Sequence, residues 1–121
     1  MRLANQYLWL FFGFSGRVSR AAYIPAGLLL YLARFFPVYR IIAADGVESV
    51  ETFWGGVFLI VIGGTLISHI ALSVKRFHDM GRSGWFSVLF LVGDFLVYLF
   101  LCIAPGNPGP NRYGTKTDAP G

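Results

Sequence analysis

Charge is what this chain has least of. Only 13% of its 121 residues are Asp, Glu, Lys or Arg, while 55% are hydrophobic. A water-soluble domain carries about 25% charged residues to cover its surface. Half that density leaves a compact globule unwetted, so lipid has to cover much of it. Cysteine is limited to Cys102, which excludes an internal disulfide and leaves the redox compartment unread. Within an apolar run it reads as a small buried side chain. The two histidines and this cysteine have no zinc-ligand spacing, so no metal or cofactor is expected. No serine-nucleophile motif, internal repeat or long linker is present.

The little charge there is leans basic, with a net of +4. In a soluble protein that balance suggests nucleic acid. Here Lys and Arg flank apolar runs, which is how a membrane protein is oriented, and nucleic acid is not an expected partner.

What the chain has in quantity is apolar length. Three segments, 21–42, 54–74 and 85–104, reach the ~20 residues needed to cross a bilayer as a helix. Backbone polar groups must satisfy one another in lipid, which leaves the helix as the form. The middle segment is the clearest, with His69 its only titratable group. The first is the most burdened, holding Arg34, Arg40 and Pro37. A central Arg opposes insertion by ~2.5–3.5 kcal/mol, against ~0.3–0.6 gained per large aliphatic or Phe. Arg40 can snorkel, while Arg34 needs neighbours. Residues 7–14 are too short to cross. Ser15-Gly16-Arg17 is a poor cleavage site, so an interfacial segment is expected rather than a signal peptide. The expectation is one all-α domain over 1–121, with three transmembrane helices and a short interfacial N-terminal segment.

Arg2, Arg17 and Arg20 precede the first span, and Lys75, Arg76 and Arg82 lie between the second and third. The intervening loop carries Asp45, Glu48 and Glu51. The positive-inside rule therefore puts the N-terminus and the His78 loop in the cytoplasm. With three crossings the tail falls on the opposite face. Three prolines within 105–110 stop the last helix and open a turn-rich tail, 105–121.

Four local patterns follow in order. They are Phe14-Ser15-Gly16-Arg17-Val18-Ser19-Arg20 with Tyr23, Lys75-Arg76-Phe77-His78-Asp79, Gly81-Arg82-Ser83-Gly84-Trp85, and Pro105-Gly106 with Asn111-Arg112-Tyr113-Gly114. As an ordered set over nearly the whole chain they resemble the domain-of-unknown-function 805 family, small bacterial inner-membrane proteins. The resemblance implies a multi-span inner-membrane domain without established enzymatic chemistry. The chain departs from the family pattern at Phe86, where a second Trp is usual, at Lys75, where Arg is usual, and at the extra tail residues Asn107, Pro108 and Pro110.

Candidate sites fall in three groups. The basic loop groups Arg17, Arg20, Arg76, His78, Asp79, Arg82 and Ser83. Free N–H groups at Ser83-Gly84 and the surrounding cations suit an anionic lipid headgroup. The bland alternative is ordinary topological charge, with Asp79 and Ser83 capping helix ends. His78 beside Asp79 suggests proton transfer on a lipid headgroup, but adjacent helix residues do not face each other. Within the bilayer, Arg34, His69 and Asp94 reach similar depths, as an ion relay, as a pairing that holds helices together, or with Asp94 protonated at a locally wet kink. In the tail, Asn111, Arg112 and Tyr113 are expected to fold against the opposite face. Gly56, Gly64 and Ser68 put small residues on one face of the second span, for packing within the chain or between copies. The reading is a non-catalytic scaffold, accessory or regulatory subunit that binds anionic lipid or a larger membrane partner, with self-association open. The alternatives are a transporter or channel component with an ion path past Asp94, and a lipid-headgroup enzyme using His78.

Overall fold

The computed structural model describes residues 2–120, with the Arg2 side chain outside the description. Its helices are α1 (Arg2–Phe12), α2 (Arg20–Ala43), α3 (Glu48–Asp79), a 3₁₀ segment (Gly84–Leu89) and α4 (Phe90–Ile103). Among the described residues the only β pairing is two isolated bridges, Arg17 with Ala119 and Asn111 with Gly114. Three helical stretches, Arg20–Ala43, Glu48–Asp79 and Gly84–Ile103, are long and apolar enough to cross a membrane.

Each begins and ends for a local reason. Ser19 caps α2 by accepting from the Ala22 N–H at 3.2 Å. Pro25 and Pro37 remain inside that helix, as membrane helices allow when neighbours re-satisfy the freed carbonyls. The α2–α3 turn closes at Asp45 and Gly46, both with positive φ. α3 has 32 residues, about 48 Å at 1.5 Å per residue. That exceeds the ~30 Å hydrocarbon thickness, so Lys75–Asp79 emerge beyond the apolar stretch.

The third stretch uses its length differently. It starts beside the end of α3, where a Cβ at Gly84 would press on Val74 and His78. It descends until the Phe90 ring meets His69, with centroids 5.2 Å apart. At Gly93 the backbone leaves helical geometry, with φ −150° and ψ 72°. From there it climbs back along α2. Asp94 lies by Arg34, the Tyr98 hydroxyl donates to the Ile24 carbonyl at 2.6 Å, and Arg20 reaches the Ile103 carbonyl at 3.1 Å. Both ends of the stretch are thus at the N-terminal end of the α2–α3 pair.

The tail is consequently placed at that same end, not on the opposite face expected from three full crossings. The Asp118 carboxylate accepts from the Ser19 N–H and hydroxyl, each at 2.8 Å, and the Arg17 N–H donates to the Ala119 carbonyl at 3.3 Å. The core sits in this half of the bundle. Tyr98 packs between Tyr23, Tyr31 and His69 with centroids 5.2–5.5 Å away, and Val18, Leu72 and Leu101 are fully buried around it.

The small-residue face is only partly used. Ser68 is buried, but no atom lies within 4 Å of a Cβ built at Gly56 or Gly64. Gly27 is the reverse case, because a Cβ there would enter the Tyr98 ring. Gly64→Leu should leave thermal stability in detergent within about 0.5 kcal/mol of native. Gly27→Leu should lower it by about 1–3 kcal/mol through overpacking. Equal melting shifts for the two would contradict this placement of the third stretch.

Candidate functional site

Two polar centres stand out, one at the N-terminal end and one inside the apolar region. The first is built on Asp79, in the last turn of α3. One carboxylate oxygen accepts from Arg17 Nε and the other from Arg76 Nη1, each at 2.9 Å. Arg76 is one turn earlier on the same helix, at i,i+3, where side chains are neighbours. Both guanidinium groups are almost wholly buried. Two cations against one anion leave an excess positive charge, which burial makes costly unless other groups answer it. Carbonyls answer it here. Arg76 donates to Leu101 at 2.9 Å, to Ala104 and to Val18. Leu101 and Ala104 belong to the C-terminal end of α4, where the helix dipole is negative. Arg17 donates to Asn107 at 2.8 Å, Gly109 at 2.9 Å and Gly114 at 3.1 Å, all in the tail. Gly106 has to be glycine because a Cβ there would fall inside the Asp79 carboxylate.

Around this hub, Lys75 is fully buried. Its ammonium donates to the Trp9 and Leu10 carbonyls and lies 4.4 Å from the Trp9 ring centroid. It thereby adds a donor to the last turn of α1, where the Trp9 carbonyl also accepts from the Gly13 N–H at 2.8 Å. The two carbonyls and the ring support the charged form. His78 turns away from Asp79. Its Nδ1 donates to the Gly16 carbonyl at 2.9 Å, its ring stacks on Tyr113 at 4.0 Å, and its own carbonyl accepts from Asn111 at 2.9 Å. Arg112 lies over the Tyr113 ring at 4.8 Å.

The second centre joins α2, α3 and the fold-back. Arg34 donates to Thr65 Oγ1 at 2.9 Å, His69 Nδ1 at 2.6 Å and Asp94 Oδ2 at 3.2 Å. The Tyr31 hydroxyl donates to the other Asp94 oxygen. Since arginine can only donate, Nδ1 accepts and the His69 proton sits on Nε2, which is buried without a partner. Asp94 follows Gly93, so the pair pins the turning point of the third stretch to both through-going helices.

The expected basic surface is therefore corrected. Arg17, Arg76 and Asp79 are interior and mutually engaged. Arg20 is exposed but bonded to Ile103, and Arg82 remains exposed. At Ser83-Gly84 the side chain already serves the helix start. The 3₁₀ segment is only six residues long, and the Ser83 side chain accepts from the Trp85 N–H at 3.3 Å. Asp79 caps no helix, and His78 and Asp79 form no dyad. Arg34, His69 and Asp94 are brought together. Asn111, Arg112 and Tyr113 join the His78 end. Three participants were missed. Tyr31 lies three residues before Arg34, and Thr65 four before His69, helical spacings that put each pair on one face. Lys75 had no comparable signal, because its partners are backbone carbonyls.

The sequence profile of the family described as "Protein of unknown function (DUF805)" matches residues 11–115, which contain both centres. The chain belongs to the DUF805 family. Within it, the chain is 31% identical over 107 residues to inner membrane protein YhaH of Escherichia coli K12, covering 84% of each protein. It is 28% identical over 109 residues to inner membrane protein YhaI of the same strain, covering 84% of this chain and 83% of that one. No solved structure matches the chain. The match starts within α1 and ends in the tail, so the arginine–aspartate hub and its tail carbonyls fall inside the DUF805 region.

Removing one member of a buried ion pair strands the other and costs about 3–5 kcal/mol. Asp79→Ala strands two arginines, so it should lower the melting temperature in detergent further than Arg82→Ala, which should leave it nearly unchanged. Equal stability of Asp79→Ala and native protein would remove the hub from the account.

Proposed function

We propose that the protein is a non-catalytic accessory component of the bacterial inner membrane, with its N-terminal end cytoplasmic and engaged with anionic lipid headgroups. The observation that carries this reading is the fold-back of the third stretch. It gathers Arg17, Arg20, Lys75, Arg76, Arg82, Arg112 and Lys116 at one end of the α2–α3 pair. The other end holds Arg40 beside Asp45, Glu48 and Glu51. Tail cations that would oppose the positive-inside rule in a three-crossing arrangement instead reinforce it. The inner-membrane assignment is supported by the names of the two relatives.

The non-catalytic part rests on how the polar groups are used. Both Asp79 oxygens are held by arginines, and His78 is committed to Gly16 and Tyr113. A general acid or base needs a group within reach of a substrate proton; Asp79 points into the fold, and His78 has given its Nδ1 to Gly16 and stacked its ring on Tyr113. Arg82, Arg112 and Lys116 remain exposed, and each basic residue near an anionic surface contributes about 1 kcal/mol of attraction.

A transport reading draws on Asp94. Its side chain is 34% exposed, and it lines a recess of about 260 Å³ with Arg34 and Tyr31. Proton flux into liposomes separates the readings. Flux at the level of empty liposomes for both native and Asp94→Asn protein agrees with the accessory role, and native flux that the variant loses would replace it.

For the lipid-facing surface, native mass spectrometry on protein from mixed anionic and zwitterionic nanodiscs should find the anionic species enriched. Arg82→Ala/Arg112→Ala should reduce that enrichment by roughly tenfold, about 1.4 kcal/mol. Identical lipid profiles for the two forms would contradict headgroup binding by this end.

A further inference from the structure

A cleft of about 470 Å³ runs between the last three turns of α3 and the descending limb of the third stretch. Its lining changes with depth. His78, Tyr113 and Ser83 stand at the mouth, Ser87 lies further in, and Val74, Ile70 and Leu91 form the deeper walls. From His78 to Ile70 is eight residues, about 12 Å along the helix. One leaflet of a ~30 Å hydrocarbon core is about 15 Å deep, so the cleft covers most of one leaflet from the surface downward.

Ser87 supplies a second observation. It is 3% exposed, and its hydroxyl has no hydrogen-bond partner. A helical serine ordinarily bonds back to a carbonyl one turn earlier, and a buried hydroxyl left unpaired costs about 1–3 kcal/mol. At about 2 Å rise per residue in 3₁₀ geometry, it lies about 8 Å below Ser83. Polar mouth, isolated hydroxyl and apolar floor repeat the sequence of headgroup, ester and acyl chain in a glycerophospholipid. Arg112 does not line the cleft, but its guanidinium lies over the ring of Tyr113, which does, at 4.8 Å, so a cation stands beside the mouth. A partner helix of aliphatic side chains would leave Ser87 unpaired and bring no phosphate to the mouth.

We infer that this cleft seats one glycerophospholipid, with its phosphate near Arg112, an ester oxygen facing Ser87, and an acyl chain along Val74, Ile70 and Leu91. The inference rests on the lipid-facing reading of this end and narrows it to a single built site. It differs from the headgroup seat sought at Ser83-Gly84, because the apolar walls and Ser87 carry it rather than helix N–H groups.

The test is native mass spectrometry on protein released from nanodiscs of phosphatidylethanolamine and phosphatidylglycerol. Leu91→Trp and Val88→Trp fill the cleft from residues that are 69% and 52% exposed, so little packing is lost and unchanged melting checks the fold. Native protein should retain one phospholipid. Each Trp variant should lose it roughly tenfold, as expected when about two methylenes lose their burial. Ser87→Ala should lower retention for both headgroups alike. Retention equal to native in both Trp variants, with loss in Arg82→Ala/Arg112→Ala, would overturn the cleft site and leave the headgroup reading standing. No phospholipid on native protein would overturn both.

Discussion

One carboxylate holding two buried arginines organises the half of this bundle where α2 begins and α3 ends. Asp79 pairs with Arg17 and Arg76, and the donors left over on those guanidinium groups reach carbonyls in Val18, Leu101, Ala104, Asn107, Gly109 and Gly114. Those carbonyls come from the loop before α2, the end of α4 and the tail. A single ionic cluster therefore ties together three segments distant in sequence. It also explains how two arginines survive with almost no contact with solvent. The carbonyl dipoles at the end of α4 and in the tail turns supply partial negative charge that one aspartate lacks.

The same constraint decides where the chain goes. For Arg76 to reach Leu101 and Ala104, the third apolar stretch has to come back to the end from which it started. Gly93 permits the reversal, and Asp94, held by Arg34 and Tyr31, fixes its depth. The half of the bundle nearest the hub then has four helical passages and a dense aromatic core. The far half has only α2 and α3, with Gly56 and Gly64 bare. The surface charge follows from this route, since the tail cations lie with the N-terminal ones instead of across the membrane.

Much of the helical content was legible, because apolar run length reports helices in lipid. The three long stretches and the breaker-rich tail were visible as such. Direction was not, since hydropathy counts residues without saying whether a run crosses or doubles back. Gly93-Asp94 in the middle of an apolar run is a turn signal, and its weight was taken up by the charge alone. The depth match of Arg34, His69 and Asp94 was readable from rise per residue. The hub was only half readable. Arg76 and Asp79 are one helical turn apart, but Arg17 is 62 residues from Asp79, and no local pattern announces that pairing. Basic residues were assigned to a surface because isolated charges belong there. Arg17, Lys75 and Arg76 are interior because each has a partner or several carbonyls, while Arg20 and Arg82 stay exposed.

Two-sided cysteine labelling tests the account most directly. Single cysteines at Asn5, Gly46 and Thr115, in a Cys102→Ala background, would be probed with an impermeant maleimide in right-side-out and inverted vesicles. Asn5 and Thr115 are expected to react from the same side and Gly46 from the other. Reaction of Thr115 from the side of Gly46 would mean that the third stretch crosses the membrane, and the Asp79 hub with its tail carbonyls could not exist as described.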